Sequence, residues 1–125
     1  MTVNQAIALC DALRPNQYPR ELKIGWLSKL DGRIFHELLM THADCPVTEF
    51  AGYDPSSVED AVLLVPAPYD EDVYNYFLQA QIDRENGETT RYNQSVTMYN
   101  AAFRAYENYY HNGHLPLAAG RRFVF

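Results

Sequence analysis

Five residues in one short span carry metal-binding chemistry: His36, Glu37, His42, Asp44 and Cys45. A zinc-binding helix sets two histidines at i and i+4, so that both imidazoles leave one face. Here the histidines are six positions apart, about 120° round a helix, and they diverge. His111 and His114 straddle the end of a helical pattern, where a protonated imidazole suits the helix dipole without any metal. No G-x-S-x-G elbow surrounds Ser28, Ser56, Ser57 or Ser95, and no phosphate-cradling glycine pattern occurs. The carboxylates of Asp70, Glu71 and Asp72 could serve acid–base chemistry, but acids crowded at a helix start usually act as caps. Arg121-Arg122 could touch a phosphate, yet two charges bind weakly at physiological salt. The chain is expected to have no catalytic residue, no metal and no cofactor.

The elements that would position these residues are mostly helical. "TVNQAIALCDAL" opens with Thr2 and has Gln5 three residues on, a capping box. Val3, Ile7 and Cys10, flanked by Ala6, Leu9 and Leu13, then recur at helical spacing until Pro15. Pro19 suits the first turn of the next helix. "ELKIGWLSKLDGRIFHELLMTH" contains Asp31-Gly32, a hairpin signal, but "IFHELL" does not alternate. Leu27, Leu30, Ile34 and Leu38 step by three and four, which predicts one long helix. Gly25 and Gly32 then each cost about 1 kcal/mol relative to Ala, tolerable where another backbone approaches closely.

Residues 43–68 are irregular, with "YDPSS" as turn chemistry and "AVLLV" as a short apolar run ended by Pro66. One or two short strands or an extended arm fit there. The helical period returns at Tyr69, with Asp70 as N-cap and a face of Val73, Tyr76, Phe77 and Ala80, widened by Leu78 and Ile82. Asn86-Gly87 stops that helix. A last helix runs from about Glu88 to Asn112, closed by Gly113 and Pro116, before the aromatic and basic "LPLAAGRRFVF".

The last helix holds five of the ten tyrosines. At about 100° per residue, Tyr92, Val96, Tyr99, Phe103, Tyr106 and Tyr110 fall on one stripe. Asn93, Thr97, Asn100, Arg104, Glu107 and His111 form a polar stripe beside it, and Met98, Ala102, Ala105 and Tyr109 form the other flank. Tyrosine buries a ring and keeps a hydroxyl that wants a partner, so it suits surfaces wet before assembly and covered after it. A tyrosine-rich core with hydroxyls reaching the surface is the competing reading. The excess of aromatics in helix and tail favours contacts between chains through Tyr92, Tyr99, Phe103, Tyr106, Tyr110, Arg121, Arg122, Phe123 and Phe125.

The expected fold is mainly α: a small bundle of about four helices, with a long irregular or short-strand insertion at 43–68 and an extended tail at 113–125. A length of 125 residues, 47% hydrophobic and 21% charged, suits a single folded domain, 1–125. No apolar run approaches a membrane span, and the start lacks the basic region and cleavage site of a signal peptide. Cys10 and Cys45 have no CxxC spacing and are expected as reduced, buried thiols. The net charge of −6 is uneven. Residues 43–88 carry eleven acids against Arg84 alone, whereas from 89 on four arginines face only Glu107. That split argues against a continuous nucleic-acid footprint and suits copies meeting with opposite signs.

"KIGWLSKLDGRI" (Lys23 to Ile34) and "AQIDRENGETTRYNQS" (Ala80 to Ser95) are the most specific pieces of a wider likeness. From about Asn4 to Phe125 the chain resembles the small head-tail connector (adaptor, or head-completion) proteins of tailed phages, in the form found in Gram-positive prophages. The resemblance implies a mostly helical subunit without cofactor or reaction. Its copies would form a ring beneath the portal, joining the head to the tail; the 43–68 loop and the C-terminal tail would reach neighbouring subunits or the portal. It implies a place in the virion at the head-tail junction, and in the bacterial cytoplasm before assembly. The alternative is a helical interaction or regulatory module of prophage origin, using the same tyrosine face on a host partner.

Overall fold

Thr2 begins the first helix by closing a reciprocal cap: its Oγ1 accepts from the Gln5 amide at 3.3 Å, and the Gln5 Oε1 accepts from the Thr2 amide at 3.0 Å. The computed structural model describes residues 1–39, 50–54 and 60–113. Four helices lie in them: α1 (Val3–Leu13), α2 (Arg20–Glu37), α3 (Asp70–Glu85) and α4 (Thr89–Gly113). Together they make the small helical bundle that periodicity predicts.

The buried side of α1 is Val3, Ala6, Ile7 and Cys10, while Leu13 is 57% exposed at the helix end. Pro19 stands at the N-cap of α2, one position before the expected first turn. Helix α2 runs unbroken through Asp31-Gly32, because Ile24, Leu27, Leu30, Ile34 and Phe35 all reach the core on helical spacing. Among the described residues, no other backbone closes on its glycines. A Cβ on Gly25 meets nothing within 4 Å, and one on Gly32 meets only the Phe50 ring at 3.8 Å. Gly25→Ala is therefore expected to stabilise the fold by about 0.5–1 kcal/mol through helix propensity. A fall in melting temperature would show that the position carries a constraint outside the folded chain.

The residue preceding α3 is Tyr69, not Asp70, and no side chain caps this end. Tyr69 already has helical backbone angles and donates its amide to the Pro66 carbonyl at 3.1 Å. Asp70 thus falls inside the first turn, where its carboxylate takes the Glu71 amide at 2.8 Å and the Met1 α-amino group at 2.9 Å. The expected apolar face of α3 is also displaced. Val73, Tyr74, Leu78, Ala80 and Ile82 are buried, whereas Tyr76 and Phe77 are half-buried. Because α3 packs against α1, α2 and α4, more than one stripe is covered, and polar Asn75, Gln79 and Asp83 are buried with it.

Helix α3 ends in a Schellman motif. The Gly87 amide donates to Arg84 O at 3.1 Å and the Glu88 amide to Asp83 O at 3.0 Å, with Gly87 at φ +72°. This turn folds α4 back against α3 as an antiparallel hairpin. Asp83, fully buried, locks the hairpin to α1: it accepts from Ser95 Oγ of α4 at 2.9 Å and pairs with Arg14, whose other amino group reaches Gln79 at 3.0 Å. Between 43 and 68, where one or two short strands or an extended arm are expected, the described residues hold one isolated bridge, Thr2 to Val62. Leu63 and Val65 turn inward while Val62 is 71% exposed, so the run alternates as an edge segment does. Residues 43–49 and 55–59 of this stretch, and 40–42 before it, lie outside the described residues.

Candidate interaction surface

A row of rings follows the α3–α4 hairpin. Phe77 lies 5.7 Å from Tyr99, and Tyr99 stacks on Phe103 at 5.9 Å and 17°. Phe103 leads to Tyr106 at 6.3 Å, and Tyr106 to Tyr110 at 6.1 Å. The expected stripe exists, but it is divided between inside and outside.

Tyr106 and Tyr110 are 1% and 4% exposed. The residue Tyr69, closing the irregular segment, approaches Tyr106 at 6.1 Å and covers this end of α4. Neither ring offers area to another chain in this conformation, so both belong with the competing reading, a tyrosine core. Tyr92, Tyr99 and Phe103 are half-buried. Tyr109 and Met98, on the flank of the stripe, are 46% and 47% exposed, and the Tyr109 ring lies tilted against Tyr69 at 4.9 Å. Arg121, Arg122, Phe123 and Phe125 lie outside the described residues.

Tyr99 and Phe103 also line a cleft of about 230 Å³ between α4 and the second half of α2, with Arg33, Glu37, Leu38 and Glu107 on its other sides. Burial pushes the Tyr99 hydroxyl up to about 12, against the opposing pull of Arg33. It therefore stays protonated and can donate. The cleft combines an apolar floor of Leu30 and Ile34, a charged rim of Arg33, Glu37 and Glu107, and the Tyr99 hydroxyl. Sequence spacing alone does not place α2 opposite α4, so this cleft was not legible.

On the same helix as Leu30 and Ile34 of the cleft sits a carboxylate with no role in the sequence reading beyond the Asp31-Gly32 hairpin signal that the helical period overrides. Asp31 is 0% exposed. Its Oδ1 accepts from the Tyr74 hydroxyl at 2.6 Å, and its Oδ2 accepts from the Leu64 amide at 3.0 Å and from the Tyr53 hydroxyl. Tyr74 in turn accepts from the Val65 amide at 2.9 Å. Burial raises the Asp31 carboxyl above its ordinary value, while the Tyr53, Tyr74 and Leu64 donors pull it down. Both tyrosine hydroxyls are pushed up, by burial first and then by the Asp31 charge. The Tyr53 amide also donates to Ser28 Oγ at 3.1 Å. This cluster fastens the 50–54 and 63–65 segments to α2. The signal for it was present: Asp31 lies on the same helical stripe as Leu27 and Ile34.

The structure describes His36, Glu37 and Cys10 among the other chemistry-bearing residues. His36 is exposed with its ring edge-on to Phe35 at 5.1 Å, and Glu37 pairs with Arg33 at 3.4 Å. His42, Asp44, Cys45 and His114 lie outside the described residues. Among the described residues, no group of three or more His, Cys, Asp or Glu side chains could hold a metal ion. Cys10 is a free, buried thiol that burial pushes up to about 12, so it is inert as a nucleophile. No helix among the described residues is long and apolar enough to cross a membrane. No protein-family model, curated protein or solved structure matches the chain.

Proposed function

We propose that this chain is a structural subunit of a tailed phage, a head-tail connector that assembles with its own copies into a ring between the portal and the tail. The resemblance carried by Lys23 to Ile34 and Ala80 to Ser95 supports it, and so does one feature of the fold. Tyr99 and Phe103 are left half-covered beside exposed Met98 and Tyr109 on the longest helix. Aromatic and Met side chains at that degree of exposure are what protein interfaces enrich. The reading assigns no reaction, metal or cofactor to the chain, and no sequence-specific contact with DNA. Portal and tail-side proteins are its proposed partners besides itself.

The experiment is removal of the gene from an inducible prophage that carries it. Heads and tails should then accumulate unjoined, and supplying the chain from a plasmid should restore joined particles. Normal yields of infectious particles without the gene would refute the proposal and favour a regulatory module.

A further inference from the structure

The face of α4 opposite the aromatic row is open, a shallow groove formed over residues 100–108 by side chains of that one helix. Two hollows of about 500 Å³ each run together along it, sharing Ala105 and Asn108. The exposed residues Gln94, Met98, Ala101, Ala105, Asn108 and Asn112 follow one another by alternate steps of four and three, the repeat of a helix surface that meets another element along its length. Small side chains at its centre permit close approach. Its one central charge is Arg104, which is exposed and, among the described residues, pairs with no carboxylate.

The position of Arg104 limits what can lie in the groove. Pairing this face with itself about a two-fold axis would put the axis between Ala101 and Ala105, with Arg104 beside its own symmetry mate. Like charges so placed repel. The fitting occupant is acidic, and among the described residues one adjacent exposed pair of acids answers to it. Glu85 and Glu88 are engaged by Arg84 and Arg91, Glu37 by Arg33, and Asp60 accepts the Asn4 amide. Glu21 stands alone next to Arg20. Glu71 and Asp72, at the start of α3, are both exposed and, among the described residues, pair with no cation.

Heights along the hairpin agree with this pairing. Glu71 lies fourteen residues before the end of α3, and Arg104 fifteen residues after the start of α4. At about 1.5 Å per residue, they stand about 21 and 22.5 Å from the shared turn. A contact between two different patches at one height relates neighbours by rotation with little rise, the condition for a closed ring and not a filament.

We infer that the α4 groove of one copy seats the start of α3 of the next copy, with Glu71 and Asp72 of that neighbour on Arg104. This deepens the connector reading, on which it rests, by naming the surface that joins subunits. Sedimentation of the full chain at rising concentration and low ionic strength tests it with two variants, Arg104→Glu and the double variant Glu71→Lys, Asp72→Lys. All three positions are exposed, so folding should persist. The wild type is expected to self-associate, and each variant alone to lose about tenfold or more in affinity. An equimolar mixture of the two should regain it, because reversed charges then meet across alternate contacts. A wild type that stays monomeric, a variant that associates as well as the wild type, or a mixture without recovery would each overturn the inference. None of these would bear on whether unjoined heads and tails accumulate without the gene, so the connector reading stands or falls separately.

Discussion

Replacing Asp31 with Ala is expected to cost about 3–5 kcal/mol of folding stability, among the largest effects of any single change in the chain. The substitution strands two tyrosine hydroxyls and the Leu64 amide without an acceptor inside the fold. Removing one partner of a buried charged network costs on that order, because the remaining polar groups stay dehydrated and unpaired. Asp31→Asn should cost less, about 1–3 kcal/mol. An amide oxygen can replace Oδ2, but its NH2 then faces Tyr74, whose hydroxyl proton loses its acceptor. Urea unfolding of both variants measures this, and an Ala variant within about 1 kcal/mol of the wild type would contradict it.

The same carboxylate gives stability a pH dependence of definite sign. The folded state raises the Asp31 carboxyl above its unfolded value. Between those two values the folded chain binds more protons than the unfolded chain, so the contribution of this group to stability falls as pH rises. Its favourable term is complete below the unfolded value and lost above the raised one. Subtracting the pH profile of Asp31→Asn from that of the wild type should leave a downward slope confined to that window. A difference profile that rises with pH there would show instead that the three donors outweigh burial.

The second large effect separates two residues of one stripe. Tyr106→Ala empties a site that is 1% exposed, and should cost about 3–5 kcal/mol. Tyr99→Ala removes a half-buried ring, and should cost about 1–2 kcal/mol by the area it covers. In the yield of joined particles, which needs a partner on the α2–α4 cleft, the order should reverse for whatever fraction remains folded. Loss of Tyr99 strips the cleft beside Phe103, while Tyr106 presents nothing outward. Equal losses of stability for the two variants would return Tyr99 to the core.

The contrast between those tyrosines marks where the sequence stops being informative. Periodicity finds α4 to within a residue at each end, because its aromatic step of three and four runs without a break. It cannot say how much of a stripe faces the chain's own core, since that depends on what crosses it. Here Tyr69 crosses it at Tyr106 and leaves Tyr99 half open. The N-cap of α3 shifts by one because a turn from Pro66 hands the chain to the helix before Asp70. Asp31 was hidden by its neighbour: Asp-Gly is a strong turn signal, and only the surrounding Leu27, Leu30 and Ile34 show that a helix overrides it. The α4 groove and the α2–α4 cleft depend on tertiary placement, which local spacing does not encode. The charge split, by contrast, was plain in the sequence; the fold adds that Glu71, Asp72 and Arg104 are exposed at one height.

The most direct measurement is an image reconstruction of intact particles at the junction between head and tail. The expected result is a closed ring of this chain between portal and tail, with Tyr99 and Phe103 covered by a neighbouring protein. Particles that lack the chain, or that hold it with both rings still facing solvent, would contradict the proposal at its centre.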